Sequence, residues 1–473
     1  MVSPEVRRIE MEIDLFIQNL PMWSTKRDVL LTKLMTLWRD GLELLGLTTA
    51  HSLMFNIEGG LEKAVAQEHQ LVTGVYQSLK WAMMYAPEDG TEQLDDKALT
   101  ELVMKTSAYY QILVDALKMG AYGKVDFVVD DNTKTLTIYE GGDITGHDNE
   151  LLRRGHLTTP FQSQSPLIAD SDQLTTDWTA GQYREYWRWL KKIAETAETE
   201  TIMAQAGPLA PMQDVMKRPL VIELPTPPAL LETVQRDLTL TVAKVRGPLK
   251  WKIDSWHDCP LIEIGGRVLG VTLALRTIAG MDDYMLRVAL LSDPGQYEKV
   301  SGLREERMIA VCKKAFESKD WVFTPHYLLS NPDREIDGYV TRSSEILIVQ
   351  LKSTLRPQSP WEVLKRNTDV IEGIRHTSDI VKRIGSTTKG IVITDGYGGD
   401  YMTWQESIKT GIPVATLDDL ALIAEDPLTA FSTLAARAGI DEIQSSMNTA
   451  ERKVSLGDWT IRMVDEPLPK MNV

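Results

Sequence analysis

Glu335-Ile-Asp-Gly-Tyr-Val-Thr-Arg-Ser-Ser-Glu-Ile-Leu-Ile-Val-Gln-Leu-Lys352 is the stretch on which the reading of this chain turns. Two runs rich in β-branched residues flank a polar turn at Thr341 to Ser344, which predicts two neighbouring strands, Glu335–Thr341 and Glu345–Lys352. On the second strand Leu347, Val349 and Leu351 share one face, while Ile346 and Ile348 precede Gln350 and Lys352 on the other. The strand is therefore apolar on both sides until its last residues, the pattern of a buried strand with a polar end. Side chains two apart project from the same face, so Gln350 and Lys352 stand together, and a neighbouring strand brings Asp337 near them.

Working outward, a helix over Leu303–Ser318 and a strand over Trp321–Leu329 precede the pair, with the turn Asn331-Pro332-Asp333 between strands. A long helix (Pro360–Ile384), a strand (Gly390–Thr394), a helix (Thr403–Thr410) and a strand (Pro413–Leu417) follow. Residues 303–425 thus read as one αβββαβ domain. It sits in a multidomain α+β chain of 473 residues, longer than one hydrophobic core ordinarily serves.

Residues 1–206 read as a helical bundle. Apolar residues recur at three and four spacings (Val29, Leu30, Leu34, Leu37, Leu42, Leu45), helix boundaries fall at Ser24-Thr25, Pro87 to Gly90 and Asp95-Asp96, and a β-hairpin is expected near 124–140. Packing is the plainest use of this bundle, and sensing a partner or ligand is the functional alternative. Residues 141–176 read as a long connection, Gly207 to Pro219 as a boundary, 207–302 as a mixed, partly β middle domain, and 426–473 as a C-terminal extension. Asp254, His257, Asp258 and Cys259 lack a second cluster at ligand spacing and read as a polar turn before a strand.

Composition excludes several classes of function. At 43% apolar and 25% charged residues the chain resembles an ordinary globular protein. No run approaches the roughly 18 apolar residues of a membrane span, and Val2 to Asp14 is charged without a signal core, so a cytoplasmic protein with no membrane partner is expected. Two distant cysteines, Cys259 and Cys312, form neither a disulfide framework nor a zinc site and are expected buried and reduced. Phosphate-loop, zinc-protease, nucleophile-elbow and dinucleotide motifs are absent, and Gly385-Ser-Thr-Thr-Lys-Gly390 has the wrong spacing for the first. His326 and His376 read as structural or surface residues. The net charge of −16 confines any nucleic-acid contact to a local patch. Residues 340–390 carry +4, which suits a phosphate-facing edge, although a solvated helix face accounts for Lys365 to Arg383 equally well.

Arg334-Glu-Ile-Asp-Gly-Tyr-Val340 followed by Ile348-Val-Gln-Leu-Lys-Ser353 resembles the restriction-endonuclease-like superfamily, the PD-(D/E)XK nucleases, in its Gln-x-Lys variant. The resemblance covers about 120 residues. Arg304-Glu-Glu-Arg307 supplies a first-helix acid; Glu306 fits the Mrr-like spacing, with apolar residues at +2, +3, +6 and +10, and Glu305 stays open beside two exposed helix acids of no special role. The resemblance implies a Mg²⁺-dependent DNA endonuclease, with Mn²⁺ able to substitute. Asp337 is then the principal ligand, Gln350 and the Leu351 carbonyl offer oxygens, Glu306 reaches a ligand water or a second ion, and Lys352 orients or deprotonates the attacking water. Glutamine in place of an acid removes one negative charge and weakens metal affinity. A role against foreign DNA, a homodimer, and a protein partner or trigger acting through the helical domain are further expectations. The alternatives are a nuclease-fold subunit without activity that binds DNA or a protein, and an RNA substrate.

Overall fold

The computed structural model describes residues 3–55, 60–91, 95–121, 125–139, 167–206, 219–247, 253, 256–277, 282–329, 335–353, 355, 360–385, 387–395, 399, 401–427 and 452–464. The protein is mixed α+β and forms two compact units. One comprises residues 1–141, 152–297 and 449–473, the other 142–151 and 298–448. The helical and middle segments, separate domains by sequence, thus belong to one unit.

In the first unit, helix α1 (Pro4–Gln18) is capped by Ser3, whose hydroxyl accepts from the Val6 N–H at 3.3 Å, and buries a stripe of Val6, Ile9, Ile13 and Ile17. Helices α2 (Arg27–Phe55), α3 (Gly60–Tyr85), α4 (Asp96–Ala108) and α5 (Asp115–Ala121) follow, with Asp95 capping α4 through the Ala98 N–H at 2.6 Å. The expected hairpin is present as antiparallel β1 (Asp126–Asp130) and β2 (Thr135–Tyr139). What sequence order hides is its partner. Strands β12 (Arg452–Leu456) and β13 (Trp459–Val464) close a four-stranded sheet in the order β1-β2-β13-β12, with β13 parallel to β2. Residues 449–473 of the C-terminal extension therefore belong to the first unit.

Helix α6 (Ala180–Ala206) leads to a second sheet of β3 (Val221–Glu223), β4 (Thr239–Leu240), β5 (Leu261–Ile264) and β6 (Arg267–Val271), ordered β3-β6-β5-β4, with short helices α7 (Glu232–Leu238), α8 (Val242–Arg246) and α9 (Thr272–Thr277). The expected mixed segment is accordingly real as structure. Trp256 to Asp258 form a turn ahead of β5, and His257 lies buried between the rings of Trp256 and Tyr284 at 3.8 and 4.6 Å. Asp258 pairs with Arg287 at 3.3 Å, and Cys259 and Cys312 are buried and free. The turn is polar, as read, and also buried. Asp254 and most of residues 207–219 lie outside the described residues.

Helices α10 (Asp282–Ser292) and α11 (Pro294–Glu317) follow, and the main segment of the second unit begins within α11 at Glu298. Helix α11 starts nine residues before the position read from sequence, because Pro294 is tolerated in a first turn. The second unit then runs β7 (Val322–Leu328), β8 (Glu335–Arg342), β9 (Glu345–Lys352), α12 (Pro360–Ile384), β10 (Thr388–Thr394), α13 (Tyr401–Thr410), β11 (Val414–Thr416) and α14 (Leu420–Glu425). Its sheet is ordered β11-β10-β9-β8-β7, with β9, β10 and β11 parallel and β7-β8-β9 antiparallel. The αβββαβ reading therefore stands as a secondary-structure order. The turn Asn331 to Asp333, Arg356 and Gly396 to Gly398 lie outside the described residues.

The two faces of β9 divide as its alternation requires. Ile348 packs with Ile380 of α12 and with Ile336, all fully buried, each contributing about 1.5–3 kcal/mol by leaving water. Val370 and Ile374 of α12 join Val392 and Ile412. On the opposite face Phe323 stacks on Phe316 of α11 at 6.0 Å, and Gly338 leaves the room Phe323 fills: a Cβ there would stand 2.5 Å from its ring.

Candidate active site

The site forms at the end of β9, where the sheet stops being regular. Beyond the pair Gly338↔Val349 the β8–β9 ladder ends, and the β7–β8 ladder omits the His326 and Asp337 positions between Pro325↔Gly338 and Tyr327↔Ile336. His326 takes a positive φ of 48°, uncommon for a side chain with a Cβ. Alternation breaks there too. Gly338 faces Phe323 and Val349, whereas Ile336, two residues away, packs with Ile348 on the α12 side. Asp337 thus sits where its strand rolls over. That frees the Leu351 N–H from any strand partner, and the Asp337 carboxylate takes it: Oδ2 accepts from Leu351 N at 2.6 Å and also from Gln350 Nε2.

A carboxylate only accepts, so the end of the Gln350 amide that faces Asp337 is its nitrogen, and Gln350 Oε1 points the other way, to His376 Nδ1 at 3.2 Å. Gln350 is buried and Lys352 half-buried. Helix α12 meets both. A Cβ on Gly373 would lie 3.1 Å from Lys352 Cε and 3.5 Å from its Cγ, so the lysine stem runs over the bare backbone of the helix, one turn from His376. Lys352 makes no salt bridge among the described residues.

Burial pushes the Asp337 carboxyl above the usual carboxylate range; the Leu351 N–H pulls it back, the charge of Glu305 adds to the rise, Lys352 opposes it, and Glu335 adds again. Of the two helix acids, Glu305 is therefore the one whose charge is felt at Asp337. Glu306, preferred from its spacing, stands 3.4 Å from His326 Nε2, while His326 Nδ1 bonds Glu335. The Glu335 bond raises the His326 pKa against the lowering effect of burial, and Glu306 adds to the rise. The reason lies in the helix. Val300, Arg304, Met308, Ile309, Cys312 and Phe316 make its buried stripe. At 3.6 residues per turn Glu305, itself exposed, projects within the arc of that stripe, whereas Glu306 is turned roughly 100° further round. The stripe extends N-terminal of Met308 through a buried arginine, which apolar spacing alone does not reveal.

That arginine is the second feature missed from sequence. Arg304 forms a buried ion pair with Asp395, which also accepts from the Ser353 hydroxyl at 3.0 Å. Lys352 pairs in register with Thr394, so Asp395 lies one residue past the lysine on the neighbouring strand. The residues brought together at the strand ends are Asp337, Gln350, Leu351, Lys352, Glu305 and His376; Glu306 is turned to His326. His376, read as structural or surface, is the addition; its signal was a position three residues after Gly373 on the same helix face.

Among the described residues no group of three or more His, Cys, Asp or Glu side chains converges as a metal site. The oxygens available beside Asp337 are those of one carboxylate, one amide that must turn over, and one backbone carbonyl. This set suits a hard cation that keeps several waters, and Asp337, desolvated with neutral hydrogen-bond donors, lacks the full positive charge such an ion brings. Lys365, Lys382, Arg383 and Lys389 are exposed and make no salt bridge among the described residues, whereas Arg375 is held by Glu406 at 2.9 Å and Arg366 by Asp369 at 3.3 Å. Lys382, Arg383 and Lys389 cluster where α12 ends and β10 begins, opposite the end at which Thr394 meets Lys352. No helix among the described residues is long and apolar enough to cross a membrane. Comparison with protein-family models, curated proteins and solved structures finds no match.

Proposed function

We propose that the second unit is a Mg²⁺-dependent deoxyribonuclease that hydrolyses DNA phosphodiester bonds. The observation that carries this reading is the convergence of a half-buried carboxylate of raised pKa, an amide and an ammonium at one irregular sheet end: Asp337 tied to Leu351 N, with Gln350 and Lys352 beside it. The resemblance of the two strand motifs supports the same chemistry. Asp337, the Gln350 amide oxygen and the Leu351 carbonyl would hold the ion, with Glu305, whose charge acts on Asp337, the candidate to reach one of its waters. When bound, such an ion neutralises charge on a phosphodiester and acidifies a bound water. The chain's own contribution is to hold Lys352 along Gly373, so that it orients the attacking water as an ammonium or, as a neutral amine, takes up that water's proton. DNA phosphates at the site would pass exposed Lys365 near the start of α12, while the first unit would recognise a target, partner or trigger. A role against foreign DNA rests on the resemblance to restriction nucleases.

A subunit that binds DNA or protein without cutting is the second reading, favoured by the Gln350 amide nitrogen already occupying Asp337. Plasmid incubated with Mg²⁺ and purified protein separates the two. Cleavage by the wild type, falling at least a hundredfold in Lys352→Ala and in Asp337→Ala, is the expected result; equal nicking by all three removes the assignment.

A further inference from the structure

We propose that His376 is a positioning residue for the cation site, one that partners the far end of the Gln350 amide whichever end faces Asp337. The inference rests on the metal-dependent reading above and goes beyond it in giving α12 a part in the chemistry.

An amide has two unlike ends, a pair of N–H donors and an oxygen acceptor. With the nitrogen on Asp337, the oxygen faces His376 Nδ1 at 3.2 Å, so Nδ1 carries the proton in this arrangement. For Gln350 to offer its oxygen to an ion beside Asp337, the amide must turn over by half a rotation. Its N–H groups then face His376, and Nδ1 must accept. A neutral imidazole serves both arrangements by exchanging the proton between its ring nitrogens, whereas lysine or arginine could only donate and leucine could do neither. Gln350 is buried, so an amide end without a partner would bear its full desolvation cost. The imidazole removes that cost from either orientation and lets the ion select the amide oxygen.

Helix α12 is built to hold this contact. Gly373 and His376 lie one turn apart on the face toward β9, the first bearing the Lys352 stem and the second the Gln350 amide, and Ile374 and Ile380 anchor the helix in the core. Partners that orient a ligand in this way are typically worth about 10- to 100-fold in metal affinity.

The test uses Mn²⁺ as the probe, titrated into the full chain and followed by the electron paramagnetic resonance of the free ion, with thermal unfolding as a check of the fold. His376→Asn keeps a donor and an acceptor near the Nδ1 position, and His376→Leu keeps neither. The expected result is binding within about threefold of wild type for His376→Asn and weakened roughly tenfold or more for His376→Leu. His376→Ala replaces the leucine variant if that chain does not fold. Wild-type affinity in His376→Leu or His376→Ala overturns the proposal while leaving the nuclease reading intact. Equal weakening in His376→Asn also overturns it, because packing and not hydrogen bonding would then be the cause. Absence of Mn²⁺ binding by the wild type overturns both.

Discussion

Two aspartates flank β9 in the second unit, Asp337 on β8 and Asp395 just past β10, and their surroundings are opposite. Asp395 is buried against the Arg304 guanidinium and accepts a further bond from Ser353. Asp337 is half-buried and takes its hydrogen bonds from a backbone N–H and a neutral amide, with Lys352 an influence of opposite sign and Glu305 and Glu335 pressing the other way. A buried charge with its counter-ion is structural material, since breaking such a pair strands the remaining charge. A buried carboxylate lacking a full counter-charge costs the fold something, and perturbed groups of that kind concentrate at functional sites. The contrast between the two carboxylates, more than any motif, is what distinguishes Asp337 as the candidate functional group.

The largest effect should come from the compensated pair. Arg304→Met strands Asp395 and should lower the unfolding free energy by about 3–5 kcal/mol, read from the urea midpoint; a change below 1 kcal/mol would erase the distinction. At the uncompensated carboxylate the sign reverses. Asp337→Asn should raise stability at neutral pH by roughly 0.5–2 kcal/mol in the absence of divalent ions, the usual gain when a strained functional charge is removed. Millimolar Mg²⁺ should then stabilise the wild type and leave Asp337→Asn unmoved.

Acid titration sharpens the same point. A carboxyl whose pKa is raised in the folded state binds its proton more readily there than in the unfolded chain. Its contribution therefore favours folding at pH below the unfolded value and is lost as pH rises through the folded one. Metal-free wild type should lose stability relative to Asp337→Asn as pH climbs out of the ordinary carboxylate range, and an unfolding midpoint difference that is flat with pH would contradict the assigned cause. The smallest effect is expected at Gly373. Alanine there gains up to about 1 kcal/mol of helix propensity, offset in part because its Cβ meets Lys352 Cε at 3.1 Å and displaces it. Gly373→Ala should melt within a few degrees of wild type yet cleave plasmid more slowly; unchanged cleavage would show that the lysine stem does not need that path.

Local pattern carried the elements of the second unit a long way. The alternation along Glu345–Lys352 and the period of Pro360–Ile384 gave those two segments their observed bounds, because both are long, strongly patterned and ended by a turn or proline. Alternation brought Asp337 near Gln350 and Lys352 but did not show that both ladders lapse there and that Ile336 changes face. Helix spacing likewise favoured Glu306 because a buried arginine does not look like part of an apolar stripe.

What the amino-acid order determined unaided is which side chains share a strand face or a helix turn, for these follow from the fixed periods of backbone geometry. It therefore placed Gln350 beside Lys352 and brought Asp337 near them. Tertiary structure alone decided that Arg304 neutralises Asp395, that His376 meets Gln350 from another element, and that β13 joins β2 across more than 300 residues of chain. Those pairings arise from burial, which charges a desolvation cost to every polar group left alone, and burial is known only once distant segments have packed.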